Sequence, residues 1–132
     1  MQFAPYITFL AVMAALTLAA CQYTAPVTQE PVRYYGVQTR LLDNDLVQFQ
    51  GALSGIKSPE QVARYAECAA AQYTLIRGFG FARHVRTHIG QQADRLSADA
   101  VYTIFRSLPR GTKTIDAEVV ADACARDNIP MV

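Results

Sequence analysis

Ser58-Pro59-Glu60-Gln61 opens a run in which Val62, Ala66, Ala69, Tyr73 and Ile76 recur at spacings of four and three. That spacing lays them along one side of an α-helix as a single apolar stripe. Ser58 can cap the first turn. Pro59 suits the first helical position, where a missing N–H is no loss, and Gln61 stands where a capping box needs it. Gly78 supplies the left-handed residue that ends such a helix. Ala69, Ala70 and Ala71 let it lie close to a neighbouring layer. A helix with one apolar stripe must bury it against another element, so the question becomes what the flanking segments can offer.

They offer strands. Val32 to Leu42 (VRYYGVQTRLL) is rich in β-branched and aromatic residues, which suit a pleated surface. Asp43-Asn44-Asp45 is a turn, because these side chains bond their own backbone. Val47, Phe49 and Leu53 then alternate with Gln48 and Gln50, completing a hairpin. Phe79 to Ile89 is a third extended segment. Leu96 to Ser107 reads as a strand, Pro109 to Thr112 as a turn, and Thr114 to about Ala123 as the last strand. Folding that hairpin about Arg110 and Gly111 pairs Ala100, Tyr102 and Ile104 with Ala121, Val119 and Ala117, an apolar face for the helix. Ile115, Val119 and Val120 are β-branched and favour the strand. Early acidic residues, a late Arg126 and Pro130 beyond would equally suit a helix over 115–128. The expected fold is α+β: an antiparallel sheet of about four to five strands, in a ββαβββ-like order, on one long helix.

The N-terminal segment is of another kind. Ile7 to Ala20, fourteen residues, is almost wholly apolar or small. A bilayer-spanning helix needs about 20 residues, so this length suits the h-region of a signal peptide instead. It closes on Leu18-Ala19-Ala20-Cys21, which resembles a bacterial lipobox. The resemblance implies that residues 1–20 are a lipoprotein-type signal peptide and that Cys21 is lipidated as the first mature residue. The segment departs from the pattern in one respect, since Met1 to Tyr6 contains no Lys or Arg. Gln22 resembles the outer-membrane type of sorting residue. Gln22 to Pro31 (QYTAPVTQEP) has the composition of an extended, solvated linker, so residues 21–31 read as lipidated Cys and tether. Residues 32–132 then form a single domain of common size. The chain as a whole is similar to small uncharacterised bacterial lipoproteins. That implies the bacterial cell envelope, lipid-anchored at the outer membrane and facing the periplasm.

With Cys21 assigned to lipid, two of the three cysteines remain, Cys68 and Cys124. An oxidising periplasm invites a disulfide between them; the alternative is two buried thiols behaving as small hydrophobes. Geometry raises an objection. On a last strand, Cys124 would fall on the solvated face, away from the helix that carries Cys68.

Formal charge is near neutral at +1, but it is uneven along the chain. Arg77 to Lys113 holds seven basic and two acidic residues, whereas Thr114 onward holds one basic and four acidic. Either the last hairpin brings the two stretches together as cross-strand pairs, or Arg77, Arg83, Arg86 and Arg95 build a basic, anion-binding face. Such a face suits lipid phosphates or cell-wall carboxylates, and a tether would raise the local concentration of even a weak contact.

Other motifs lead less far. Arg77-Gly78-Phe79-Gly80-Phe81 begins like an RNA-recognition octamer, but Ala82 and His84 break the match and a helix precedes it. No nucleic-acid partner is expected. His84 and His88 flank Arg86 and would share a strand face with it, yet no third ligand follows, so no metal is expected. Cys68 has no nucleophile signature, the carboxylates are scattered, and there is no phosphate loop or serine elbow. Neither catalysis nor a cofactor is implied. The expectation is a membrane-anchored cell-envelope lipoprotein with a non-catalytic interaction or structural role, in contact with anionic envelope components or an envelope protein. The alternative is a periplasmic domain that binds a small ligand or metal.

Overall fold

The computed structural model describes residues 24–26, 28–55 and 58–131. The apolar segment and Cys21, expected as signal peptide and lipidation site, lie outside the described residues. The elements are β1 (Arg33–Leu41), β2 (Leu46–Ser54), α1 (Pro59–Ile76), β3 (Phe81–Gln92), β4 (Arg95–Phe105), β5 (Thr114–Asp116) and α2 (Ala117–Arg126). The strands form one five-stranded sheet in the order β1-β2-β4-β3-β5, antiparallel throughout.

Local chemistry sets both ends of α1. The Ser58 N–H donates to Gln61 Oε1 at 3.2 Å. At the other end Gly78 takes φ +74, and the N–H groups of Gly78 and Phe79 donate to the carbonyls of Leu75 and Thr74, both at 2.9 Å. These are the two bonds of a Schellman cap. Gly78 of the octamer-like segment is therefore a helix terminator, and Phe79 packs against the core.

The core lies between the sheet and α1. Val47, Phe49 and Leu53 of β2, Ala98, Ala100, Tyr102 and Ile104 of β4, and Ala82 of β3 meet Val62, Tyr65, Ala66, Ala69 and Ala70. Gly51 is part of the fit: a Cβ there would lie 3.1 Å from Val37 Cγ2 and 3.3 Å from the Tyr65 ring. The missing side chain lets Tyr65 reach the sheet, where its ring meets Tyr34 edge-on at 4.9 Å.

The expected layering on one long helix needs correction, because the described residues form two helices. The segment read as the last strand is a three-residue β5 followed by α2. The switch occurs at Asp116, whose carboxylate accepts from the N–H groups of Glu118 at 3.1 Å and Val119 at 3.2 Å. An aspartate cap contributes about 1 kcal/mol, more than the few tenths per residue by which β-branched side chains disfavour a helix. Asn128, at φ +55, closes α2 as Gly78 closes α1. Its N–H and that of Ile129 donate to Ala125 and Cys124 carbonyls at 3.2 and 3.0 Å.

The expected pairing of Ala100 with Ala121 therefore does not occur. Ala100 sits between Phe49 of β2 and Thr87 of β3, and β3 and β4 form the hairpin through Ala93, at φ +53, and Asp94. The cross-strand charge compensation expected from the last hairpin falls with it.

Two strands carry register shifts, β1 between Tyr34 and Val37 and β3 between His84 and Arg86. β1 forms one edge of the sheet. At the other, β5 covers only Phe81 to Arg83 of β3.

On α1, Cys68 and Ala71 lie on the side turned away from Val62, as their offsets around the helix require. Both are fully buried, beside α2 residues Ala117, Ala121 and Cys124. Cys68 and Cys124 are joined as a disulfide with Cα atoms 5.9 Å apart, inside the usual range. The geometric objection disappears because Cys124 is helical. Among the described residues no helix is long and apolar enough to cross a membrane.

Candidate functional site

Because α1 and α2 stack on one side, no helix of the described residues lies over the other face of the sheet. Strand alternation fixes its residues. Opposite the core-facing Ala98, Ala100 and Tyr102, β4 presents Ser97, Asp99 and Val101 to the open face. Cross-strand register adds Gln48 and Gln50 of β2, and Gln38 and Arg40 of β1.

The shift in β3 inserts one residue, Val85, which is half exposed. His84 stands opposite Tyr102, a core residue, while Arg86 stands opposite Val101 on the open face. A bulge of this kind re-aims every side chain beyond it. The expectation that His84, Arg86 and His88 share a face is thereby corrected. His84 lies on the helix side, its Nε2 2.7 Å from Thr87 Oγ1 and its ring edge-on to Tyr102. His88 lies on the open face opposite Asp99. The two imidazoles cannot share a metal ion. Among the described residues no group of three or more His, Cys, Asp or Glu side chains could hold one.

The same bulge brings Arg83 and Arg86 onto one face, with Arg95 of β4. Arg77 is elsewhere. It ends α1, donates to the Tyr73 hydroxyl at 2.8 Å and lies over the Tyr73 and Phe79 rings. Arg83 donates to the Arg110 carbonyl and lies 5.3 Å from the Phe105 ring centre. Arg86 Nη1 is 3.5 Å from Asp99 Oδ1. Asp99 also accepts two hydrogen bonds from Gln48 Nε2, at 2.9 and 3.0 Å. Arg95 stacks on Tyr35, its guanidinium carbon 3.6 Å from the ring centre, and the Tyr35 hydroxyl is 3.1 Å from Ser54 Oγ. The Ser54 hydroxyl, then the Arg95 guanidinium, hold the Tyr35 phenol below its ordinary pKa.

The opposite side of the molecule has the other sign. Glu60, Glu67, Glu118 and Asp122 lie on the helices with Arg64 and Arg126, and Arg64 is already paired with Glu67 at 2.9 Å. Charge is thus divided by layer, the sheet cationic and the helices acidic.

Within the open face is a concavity of about 620 Å³, lined among others by Tyr35, Gln38, Gln50, His88, Arg95 and Asp99. Gly90 forms part of its wall, and a Cβ there would lie 2.8 Å from Ser97 Oγ. Of these residues, sequence reasoning singled out His88 and Arg95. It missed Tyr35, Gln38, Gln50 and Asp99. The alternation of Gln48 and Gln50 with buried apolar residues was the available signal, since it marks a second, polar face on a central strand.

These features define a small α+β domain with a disulfide between its two helices and a polar, cationic open sheet. The chain belongs to the YNQ4 C-terminal domain family, whose model matches residues 34–128. It is also similar to an uncharacterised 26.9 kDa protein of the nqo8 5' region of Paracoccus denitrificans, 24% identical over 107 residues. The match takes in 76% of this chain and 42% of that protein, so the chain spans less than half the length of the relative. No solved structure matches significantly.

Proposed function

We propose that the protein is a bacterial envelope lipoprotein, anchored through Cys21 after removal of residues 1–20, whose open sheet face meets an anionic component of the envelope without catalysis. The location proposed is the outer membrane, facing the periplasm. The observation that carries the contact is the division of charge by layer, with Arg40, Arg83, Arg86 and Arg95 on the sheet side and the helix acids behind them. A disulfide between two fully buried cysteines fits an oxidising compartment. Residues 21–31 extend at most about 3.3–3.6 Å each, so the tether could reach no further than about 35–40 Å.

The anchor is tested by the intact mass of protein extracted from native membranes. The expected mass is that of Cys21 to Val132 plus acyl chains. An unprocessed chain without acyl groups overturns this part of the reading.

The contact is tested by sedimentation of the purified protein with isolated cell-wall sacculi. The Debye length falls from about 30 Å at 0.01 M salt to about 3 Å at 1 M, so co-sedimentation at the lower concentration should be lost at the higher. The double charge reversal Arg86→Glu with Arg95→Glu should abolish it at low salt, whereas Arg126→Glu on the helix side should not. Equal loss from both variants, or no co-sedimentation at low salt, rejects the sheet face as the contact.

A further inference from the structure

We infer that the concavity in the open sheet face is a saccharide site that takes an acidic sugar unit. This rests on the reading of that face as the contact with an anionic envelope component, and it names the chemistry contacted.

The volume of about 620 Å³ falls within the roughly 300–1,000 Å³ typical of small-molecule sites, enough for one or two sugar rings. The lining sets the chemistry. The amides of Gln38 and Gln50 each offer donors and an acceptor, and the Ser97 hydroxyl offers both. Sugar hydroxyls also donate and accept at one atom, so mixed partners spaced across neighbouring strands suit them. A phosphate-only ligand would need cations and donors, and the two glutamine carbonyl oxygens would face it unused.

The acid is placed by Arg95. The Arg95 guanidinium carbon lies over the Tyr35 ring, 3.6 Å from its centre, and Tyr35 is itself held by Ser54. The fork is therefore preoriented, and a carboxylate can take it in bidentate form. Among the described residues no carboxylate lies within salt-bridge distance of Arg95. The acid that does line the concavity, Asp99, is occupied by two hydrogen bonds from Gln48 and by the Arg86 guanidinium. Its charge is thus countered from within the sheet. Gly90 keeps the wall low where a side chain would collide with Ser97, leaving backbone for a ring to approach.

The test is a titration of the isotope-labelled full-length protein, purified from the cells that make it, followed by amide and side-chain chemical shifts. Three probes are used: a disaccharide of N-acetylglucosamine and N-acetylmuramic acid, the neutral N-acetylglucosamine disaccharide, and a ketodeoxyoctonic acid sugar. Saturable shifts at Gln38, Gln50, Arg95 and Ser97 are expected with an acidic probe. The tighter of the two acidic probes identifies wall glycan or lipid-linked saccharide as the source. Losing one charge-assisted hydrogen bond should weaken the neutral disaccharide by ~10-fold or more. Gln50→Ala should weaken the acidic probe while leaving the melting temperature within a few degrees.

Equal affinity for acidic and neutral disaccharides overturns the acidic assignment. Shifts with anionic phospholipid bicelles but with none of the sugars overturn the saccharide assignment. If no sugar binds while Arg86→Glu with Arg95→Glu still abolishes sedimentation with sacculi, this inference fails and the reading of the face stands. If sedimentation is also absent, both fail.

Discussion

Replacing Cys68 and Cys124 together by alanine should lower the melting temperature by roughly 15–30 °C. The bond joins residues 56 apart in sequence, and closing a loop of that length contributes about 4 kcal/mol in the chain-entropy account. For a domain of this size each kcal/mol moves the midpoint by roughly 4–8 °C. The effect should also be local. Besides the bond, α2 is held by Ala117 and Ala121 against Ala71, with Ile115, Val120 and Met131 only partly buried around them. A ten-residue helix is too short to persist without tertiary support. Amide exchange over 117–126 should therefore accelerate on reduction before the strands respond. Melts with and without reductant decide the point. A shift of only a few degrees would mean that packing alone holds α2.

Phe49→Ala should cost about 3–5 kcal/mol, the range for emptying a buried aromatic site. Phe49 is fully buried on β2, and its ring meets Tyr73 and Tyr102 edge-on at 5.7 and 6.1 Å. Those contacts link α1, β2 and β4, so the cavity opens where three elements converge. Collapse is hindered because Tyr73 is fixed in the helix and Tyr102 in the ladder. A small domain has only about 5–15 kcal/mol in total, so urea unfolding of the variant should begin at low denaturant. Phe105→Ala, on the open face and only half buried, should cost much less. Equal costs at the two sites would show that the core is not where the packing places it.

Legibility in the sequence followed the range of the interactions involved. The limits of α1 and the β1–β2 hairpin are written in neighbouring residues: Ser58, Pro59 and Gln61 at one end, Gly78 at the other, Asp43 to Asp45 at the turn. Helix α2 was harder. Ile115, Val119 and Val120 argued for a strand, while one carboxylate, Asp116, and burial against α1 decided for a helix. The choice of partner for β4 also eluded sequence reasoning. Pro109 and Gly111 look like a stronger turn than Ala93-Asp94, yet the latter joins the paired strands.

At the site, the parity of Arg83 and Arg86 shows the limit most clearly. In a regular strand these residues would face opposite ways. They share a face because Val85 bulges, and nothing in FARHVRTH announces an extra residue. The same bulge separates His84 from His88, so one unpredicted irregularity put the two arginines on one face and the two imidazoles on opposite faces.

The register shifts in β1 and β3 bear on how neighbouring copies behave. β1 is an edge, and β3 becomes one beyond the three residues that β5 covers. A flat, regular edge invites ladder formation with the next molecule, and a bulge twists the exposed hydrogen-bonding groups out of line. Each edge of this sheet carries one. Copies packed side by side at high density are thereby kept from continuing one another's sheets, although among the described residues only β5 covers part of one flank.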